Sequence, residues 1–170
     1  MSTQIPFKIL FLCTGNSARS ILGEYLIRRV APSRFASYSA GSNPVGKVNP
    51  YAIRTLKEYR IDASDARSKS VDEFVDKGFK FDFVITVCDN ARENCPVWPG
   101  QPIVAHWGSP DPAAATGTDD EKLDEFRRVA MQIHRRLDLF ASLPLEKMDR
   151  LRLQKATTKI GADQMTPSPV

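Results

Sequence analysis

The chain predicts an α/β fold, a three-layer sandwich in which a small parallel sheet of about four strands carries helices on both faces. Three observations lead there. Short apolar runs alternate with segments of helical period along most of the length. Those runs are continuous rather than alternating, as strands buried on both faces are. Helical segments, several of them opened by capping signals, alternate with the strands, the order that builds a parallel sheet.

Phe7-Lys-Ile-Leu-Phe-Leu12 is the first buried strand, and it runs into a glycine-containing turn from Cys13 to Arg19. Ile21, Leu22, Tyr25, Leu26 and Val30 then recur at helical spacing until Ala31-Pro32 ends the pattern. Phe35 to Ala40 alternates weakly and stops at Gly41, which predicts an edge strand. Asn49-Pro50 sets an N-cap residue before a proline at the first helical position, and Ala52, Leu56 and Tyr59 share a face of that helix. Ser70-Val-Asp-Glu73 has the spacing of a capping box and opens a short helix holding Phe74 and Val75. Phe83-Val-Ile-Thr-Val87 and Ile103 to Trp107 are two further strands. Thr118-Asp-Asp-Glu121 is again a capping box. It leads a long helix with Leu123, Phe126, Ala130, Ile133, Leu137 and Phe140 on one side, His134 lying beside that face. One domain, residues 1–156, accounts for these elements, and the polar residues 157–170 are expected to form a flexible tail.

Composition narrows the possible partners. A chain of 170 residues that is 42% apolar can bury a real core. Its net charge of +4 favours anionic partners. The basic residues are spread out (Arg28-Arg29, Arg127-Arg128, Arg135-Arg136) rather than gathered with aromatics, so nucleic acid is not expected and a small anion fits better. No stretch reaches the roughly 18 apolar residues of a membrane span. Met1 to Pro6 lacks the regions of a secretory signal, so a cytoplasmic monomer with no membrane contact is expected. A reducing compartment disfavours structural disulfides. Cys13, Cys88 and Cys95 are therefore each a buried filler, a metal ligand or a reactive thiol.

Cys13-Thr-Gly-Asn-Ser-Ala-Arg19-Ser20 lies between a strand and a helix, at the carboxyl end of the strand, where open α/β sheets bind ligands. The backbone amides of Thr14, Gly15, Asn16, Ser17 and Ala18 can converge with the helix N-terminus on a tetrahedral oxyanion. Gly15 is expected to permit the turn, and Asn16 to brace it. Arg19 offers a planar fork of donors to two oxygens. The same surroundings are expected to depress the pKa of Cys13, with Ser20 donating a hydrogen bond to its sulfur.

This segment resembles the signature loop of the low-molecular-weight protein tyrosine phosphatases and of the arsenate reductases that share their fold. His106-Trp-Gly-Ser-Pro-Asp111-Pro112-Ala resembles the family's Asp-Pro segment, whose aspartate is the general acid. With Tyr38-Ser-Ala-Gly41 and Arg67-Ser-Lys-Ser70, the similarity runs from about residue 7 to residue 140. Two departures stand out. Ala18 replaces a second loop cysteine found in many phosphatases, and Ala113 stands where typical tyrosine phosphatases of this class carry an aromatic.

A phosphatase needs one cysteine, whereas reducing As(V) to As(III) needs two electrons, which two thiols supply on becoming a disulfide. Cys88-Asp-Asn-Ala-Arg-Glu-Asn-Cys95 follows a strand and resembles the redox segment of the thioredoxin-linked arsenate reductases. On a helix these cysteines would stand roughly 10 Å apart, beyond disulfide reach, so bridging them requires the segment to unwind. Their spacing also exceeds that of structural zinc motifs, which leaves His106 without a metal to share and no metal site expected.

The resemblance implies a relay. Cys13 attacks arsenate held by the loop and Arg19, while Asp111 protonates the departing oxygen. Cys88 then attacks Cys13, arsenite leaves, and Cys95 resolves Cys88 into a disulfide re-reduced by thioredoxin, with glutaredoxin or glutathione as alternatives. No tightly bound cofactor is implied. In such reductases this region can hold a potassium ion, and Asn16 and Glu24 match part of that pattern. A phosphomonoester phosphatase with incidental Cys88 and Cys95 is the alternative. A thiol or metal sensor would leave Arg19 and Ser20 without a purpose.

Overall fold

A computed structural model describes residues 5–88 and 98–162. Four parallel strands, β1 (Phe7–Cys13), β2 (Phe35–Gly41), β3 (Phe83–Thr86) and β4 (Ile103–His106), form one sheet in the order β2-β1-β3-β4. The helices are α1 (Arg19–Val30), α2 (Pro50–Glu58), α3 (Asp72–Val75), α4 (Asp119–Ala141) and α5 (Arg150–Ala162), with 3-10 turns at Pro112–Ala114 and Leu145–Lys147. The weakly alternating strand is indeed an edge strand, and the continuous apolar run of β1 lies at the centre. Ile9 to Leu12 are fully buried there because helices or loops cover both faces.

Side-chain alternation sorts these two faces. On one, Phe35 and Phe83 meet Phe140 of α4 at ring-centroid distances of 5.5 and 5.0 Å, and Trp107 joins them at 5.5 Å. Ser37 and Ser39, on the same side of β2, bond to Glu24 of α1. On the other face Tyr38 packs edge-on against Phe74, Phe79 and Phe81, and Trp98 closes on Phe81 at 5.3 Å. The result is the three-layer sandwich, its second layer of cover made as much by an aromatic loop as by helix.

The capping signals behave unequally. The Asn49 side chain accepts from the Tyr51 amide, and Thr118 Oγ1 accepts from the Glu121 amide at 3.2 Å. At Ser70 the box does not close. Its hydroxyl accepts from the Asp72 amide, but Glu73 turns away to a two-pronged ion pair with Arg67 at 2.8 and 2.9 Å. His134 packs rather than projects, stacked on Tyr59 and 3.2 Å from Asp138.

The expected flexible tail also needs correction. Residues 157–162 continue α5, and Thr157 and Ile160 are buried. The helix is held on the β4 side by tertiary hydrogen bonds: the Trp107 indole donates to the Thr157 carbonyl at 2.9 Å and the Gln154 amide to the Val104 carbonyl at 2.8 Å. Among the described residues no helix is long and apolar enough to cross a membrane.

Candidate active site

Parallel pairing brings both described cysteines to one edge of the sheet. Leu12 pairs with Thr86, and the Val87 amide donates to the Leu12 carbonyl at 2.9 Å, so Cys13 and Cys88 leave adjacent central strands together. Neighbouring strands lie roughly 4.8 Å apart, inside the Cα separations a disulfide spans. Both thiols are buried, and they hydrogen-bond to each other. Thr14 Oγ1 lies 3.3 Å from Cys88 Sγ, so the loop itself holds the second sulfur. Cys95 lies outside the described residues.

Four of the loop's carbonyls are drawn outward. Those of Cys13, Thr14, Gly15 and Ser17 accept from the amides of Ser42, Asn43, Val45 and Asn49 at 2.9–3.1 Å, and Ser68 Oγ adds a second donor to Gly15 at 3.1 Å. In a trans peptide the next residue's N–H points opposite to the carbonyl. Fixing those oxygens therefore turns the amides of Thr14, Gly15, Asn16 and Ala18 inward, and the Gly15 amide reaches the Cys13 sulfur. The left-handed residue is Asn16, at φ 47°, not Gly15. Asparagine tolerates that conformation, and its side chain ties the loop down. Nδ2 donates to Ser20 Oγ at 2.8 Å, and Oδ1 accepts from the Lys69 amide at 2.9 Å. The Ser20 hydroxyl, expected to serve Cys13, thus accepts from Asn16.

The glycine this loop depends on is Gly41. A Cβ there would stand 2.5 Å from the Thr14 carbonyl oxygen and 3.0–3.1 Å from Asn16 atoms, so β2 can approach the loop only without a side chain. Gly41→Ala is expected to destabilise the fold by about 1–3 kcal/mol and to misplace the loop. Thermal unfolding reads the first effect as a Tm several degrees lower. An unchanged Tm with intact activity would show that the loop yields freely.

Arg19 is held so that one edge stays open. Its Nη1 donates to the Ser109 carbonyl at 2.8 Å, while the buried Nε has no hydrogen-bond partner among the described residues. Nη2 comes only within 4.0 Å of Asp111 Oδ2. The Nε–Nη2 edge is the one that grips two oxygens of a tetrahedral anion side by side. Asp111 divides its two carboxylate oxygens. Oδ1 accepts from the Ala113 amide at 3.0 Å, capping the 3-10 turn, and leaves Oδ2 toward Arg19.

Electrostatics at Cys13 oppose the expected thiolate. The hydrogen bond with Cys88 and then burial push its pKa up, while Arg19 and the Gly15 amide pull it down less strongly. The neighbouring Cys88 thiol thus favours a protonated Cys13 in the absence of an anion.

The potassium expectation meets a different occupant. Glu24 Oε1 accepts from Ser39 Oγ at 2.7 Å and lies 3.6 Å from the Lys69 ammonium, and Oε2 takes Arg28 at 3.3 Å. Burial pulls the Lys69 ammonium below the usual lysine range while Glu24 holds it up. With Asn16 Oδ1 also engaged, the described residues do not fit a bound potassium ion, because a lysine already supplies the positive charge. Gly41, Ser68, Lys69 and Ser109 are the parts of the site that sequence reasoning gave no role. All four sit in the segments Tyr38–Gly41, Arg67–Ser70 and His106–Ala113 that carry the resemblance, which was the available signal.

A buried thiol, an open guanidinium edge and inward amides at the carboxyl end of a parallel sheet make this a thiol site shaped for a tetrahedral oxyanion. The chain belongs to the low molecular weight phosphotyrosine protein phosphatase family, which it matches over residues 8–154. It is 42% identical to an arsenate reductase of Halalkalibacterium halodurans over 133 residues, 78% of this chain and 94% of that protein. A solved arsenate reductase in a phosphate binding state superimposes with a TM-score of 0.65 at 30% identity, covering 78% of this chain and 94% of the other. A thioredoxin-dependent arsenate reductase of Corynebacterium glutamicum does so with a TM-score of 0.55 at 25% identity, covering 81% and 65%.

Proposed function

We propose that this chain reduces arsenate to arsenite, and that thioredoxin returns it to the dithiol state. The observation that carries the reading is the Cys88 sulfur, hydrogen-bonded to Cys13 and held by Thr14 at the end of the neighbouring strand. A hydrolase has no use for a second thiol there. The names of the relatives point the same way.

The amides of residues 14–18 and the Nε–Nη2 edge of Arg19 hold the arsenate oxygens, with Ser20 and Asn16 bracing the loop. Arg19 and the Gly15 amide favour the thiolate, and the Cys13 proton passes to an oxygen of the bound arsenate as the sulfur forms an S–As bond. An As–O bond breaks, and Asp111 protonates the departing oxygen, which leaves as water. Cys88, as thiolate, attacks the Cys13 sulfur. The S–As bond breaks with its electron pair on arsenic, giving arsenite and a 13–88 disulfide. Cys95 then attacks the Cys88 sulfur, freeing Cys13 and leaving an 88–95 disulfide for the external reductant. Such a cycle belongs in a reducing compartment, the cytoplasm.

Arsenate-dependent NADPH oxidation with purified thioredoxin and thioredoxin reductase tests the proposal; parallel assays with glutaredoxin and glutathione identify the reductant. Sustained turnover is expected with thioredoxin. The Cys95→Ser variant is expected to release about one equivalent of arsenite per chain and then stop, because the 13–88 disulfide has no resolving thiol. Full turnover by that variant would sink the relay. Phosphomonoester hydrolysis without any arsenate reduction would favour the phosphatase reading, since the loop, Arg19 and Asp111 suffice for that reaction.

A further inference from the structure

Behind the Asp111 segment sits a buried arginine that the relay does not use. Arg136 of α4 is 3% exposed and has no carboxylate partner among the described residues; burial alone acts on its guanidinium, pulling its pKa down. Its Nη1 donates to the Gly108 carbonyl at 2.8 Å and reaches Ser109 Oγ at 3.5 Å, and its Nη2 reaches the Gly161 carbonyl at 3.5 Å. Gly161 lies in the last turn of α5, where carbonyls lack helical partners and the dipole is negative. That helix end supplies the compensation a carboxylate normally would.

The neighbouring groups are held just as firmly. The Ser109 amide donates to the Val87 carbonyl at 3.2 Å, and the Ser109 carbonyl accepts from Arg19. The Trp107 indole is tied to Thr157. Gly161 lies so close to the His106 carbonyl and the Trp107 ring that any side chain there would collide with both. Residues 107–109 are thus clamped from α4 and α5 on one side and from Arg19 on the other, and Asp111 follows two residues on. Stability alone does not call for a charge here, since a buried ion without an acid partner is disfavoured against an apolar side chain of similar size.

We propose that Arg136 is a positioning residue: it fixes the Gly108–Ser109 peptide from behind and so sets where the Asp111 carboxyl stands over the thiol site. The proposal rests on Asp111 being the proton donor in the reaction proposed above. It is tested with Arg136→Met and Arg136→Lys, each made in the wild-type and the Asp111→Asn background, measuring kcat for arsenate reduction and for p-nitrophenyl phosphate hydrolysis alongside Tm. In the wild-type background Arg136→Met is expected to lower both kcat values by about tenfold or more, with Arg136→Lys intermediate. In Asp111→Asn the same changes should cost less than about threefold, because the group being positioned is already gone. Equal losses in both backgrounds, or a lowered Tm with kcat intact, would overturn the proposal and leave Arg136 as a structural support. Should Arg136→Met fail to fold, the Arg136→Lys cycle decides alone. If wild type hydrolyses the phosphomonoester but leaves arsenate untouched, the reductase reading fails while the hydrolysis arm still reads the positioning.

Discussion

Cys88→Ser is expected to abolish arsenate-dependent NADPH oxidation, by a factor of at least about 10³, while phosphomonoester hydrolysis continues. The asymmetry follows from electron accounting. Serine fits the same space and can bond to Thr14, so the loop, Arg19 and Asp111 keep their places. What disappears is the second sulfur beside Cys13, and with it the only described partner able to complete a disulfide there. A hydrolytic cycle needs neither electron and goes on. The same substitution removes the largest upward influence on Cys13, so its reaction with iodoacetamide should begin at lower pH than in the wild type. Equal loss of both activities would mean that Cys88 holds the loop together rather than carrying electrons.

Arg19→Lys is expected to lower both activities together, by about 10²–10³ in kcat/KM, even though the charge is kept. The wild-type guanidinium spends Nη1 on the Ser109 carbonyl and keeps the buried Nε and Nη2 for an anion. An ammonium cannot do both. Either it stays at Ser109, leaving the oxyanion with a distant point charge, or it turns to the anion and frees the Asp111 segment. Competitive protection of Cys13 by phosphate against alkylation gives a separate check, since it should weaken in parallel. Retained protection with lost turnover would assign Arg19 to the chemical step rather than to anion binding.

Much of this site could be read from local pattern. A continuous apolar strand, a cysteine-to-arginine loop and a helix of period 3.6 are contiguous in sequence, so Cys13 and Arg19 were visible there. The shared edge of Cys13 and Cys88 needed only the inference that the strands are parallel. What escaped depends on contacts between distant segments. Gly15 looked like the turn residue, but Asn16 carries the positive φ, and the glycine under steric demand is Gly41, on the next strand. The depressed acidity expected of Cys13 took account of Arg19 and the amides but not of a neighbouring thiol 75 positions away in sequence, whose hydrogen bond opposes them. Glu24 resembled a potassium ligand because nothing in the sequence places the Lys69 ammonium beside it. The end of helix α5, residues 157–162, was taken for tail because its stretch is polar. It is held by backbone carbonyls, which accept from Trp107 and Arg136, and no hydropathy pattern records such bonds.

The placement of the two described thiols on adjacent strands makes redox competence a property of the folded state. In an unfolded chain a flexible tether of more than seventy residues joins Cys13 to Cys88, and such tethers give effective concentrations of millimolar order or below. In the sheet the backbone ladder itself sets their separation, at effective molarities that rigid juxtaposition can raise by several orders of magnitude. Oxidant-driven formation of the 13–88 bridge is therefore a chemical gauge of native structure, and its rate should collapse at the same denaturant concentration at which the sheet melts.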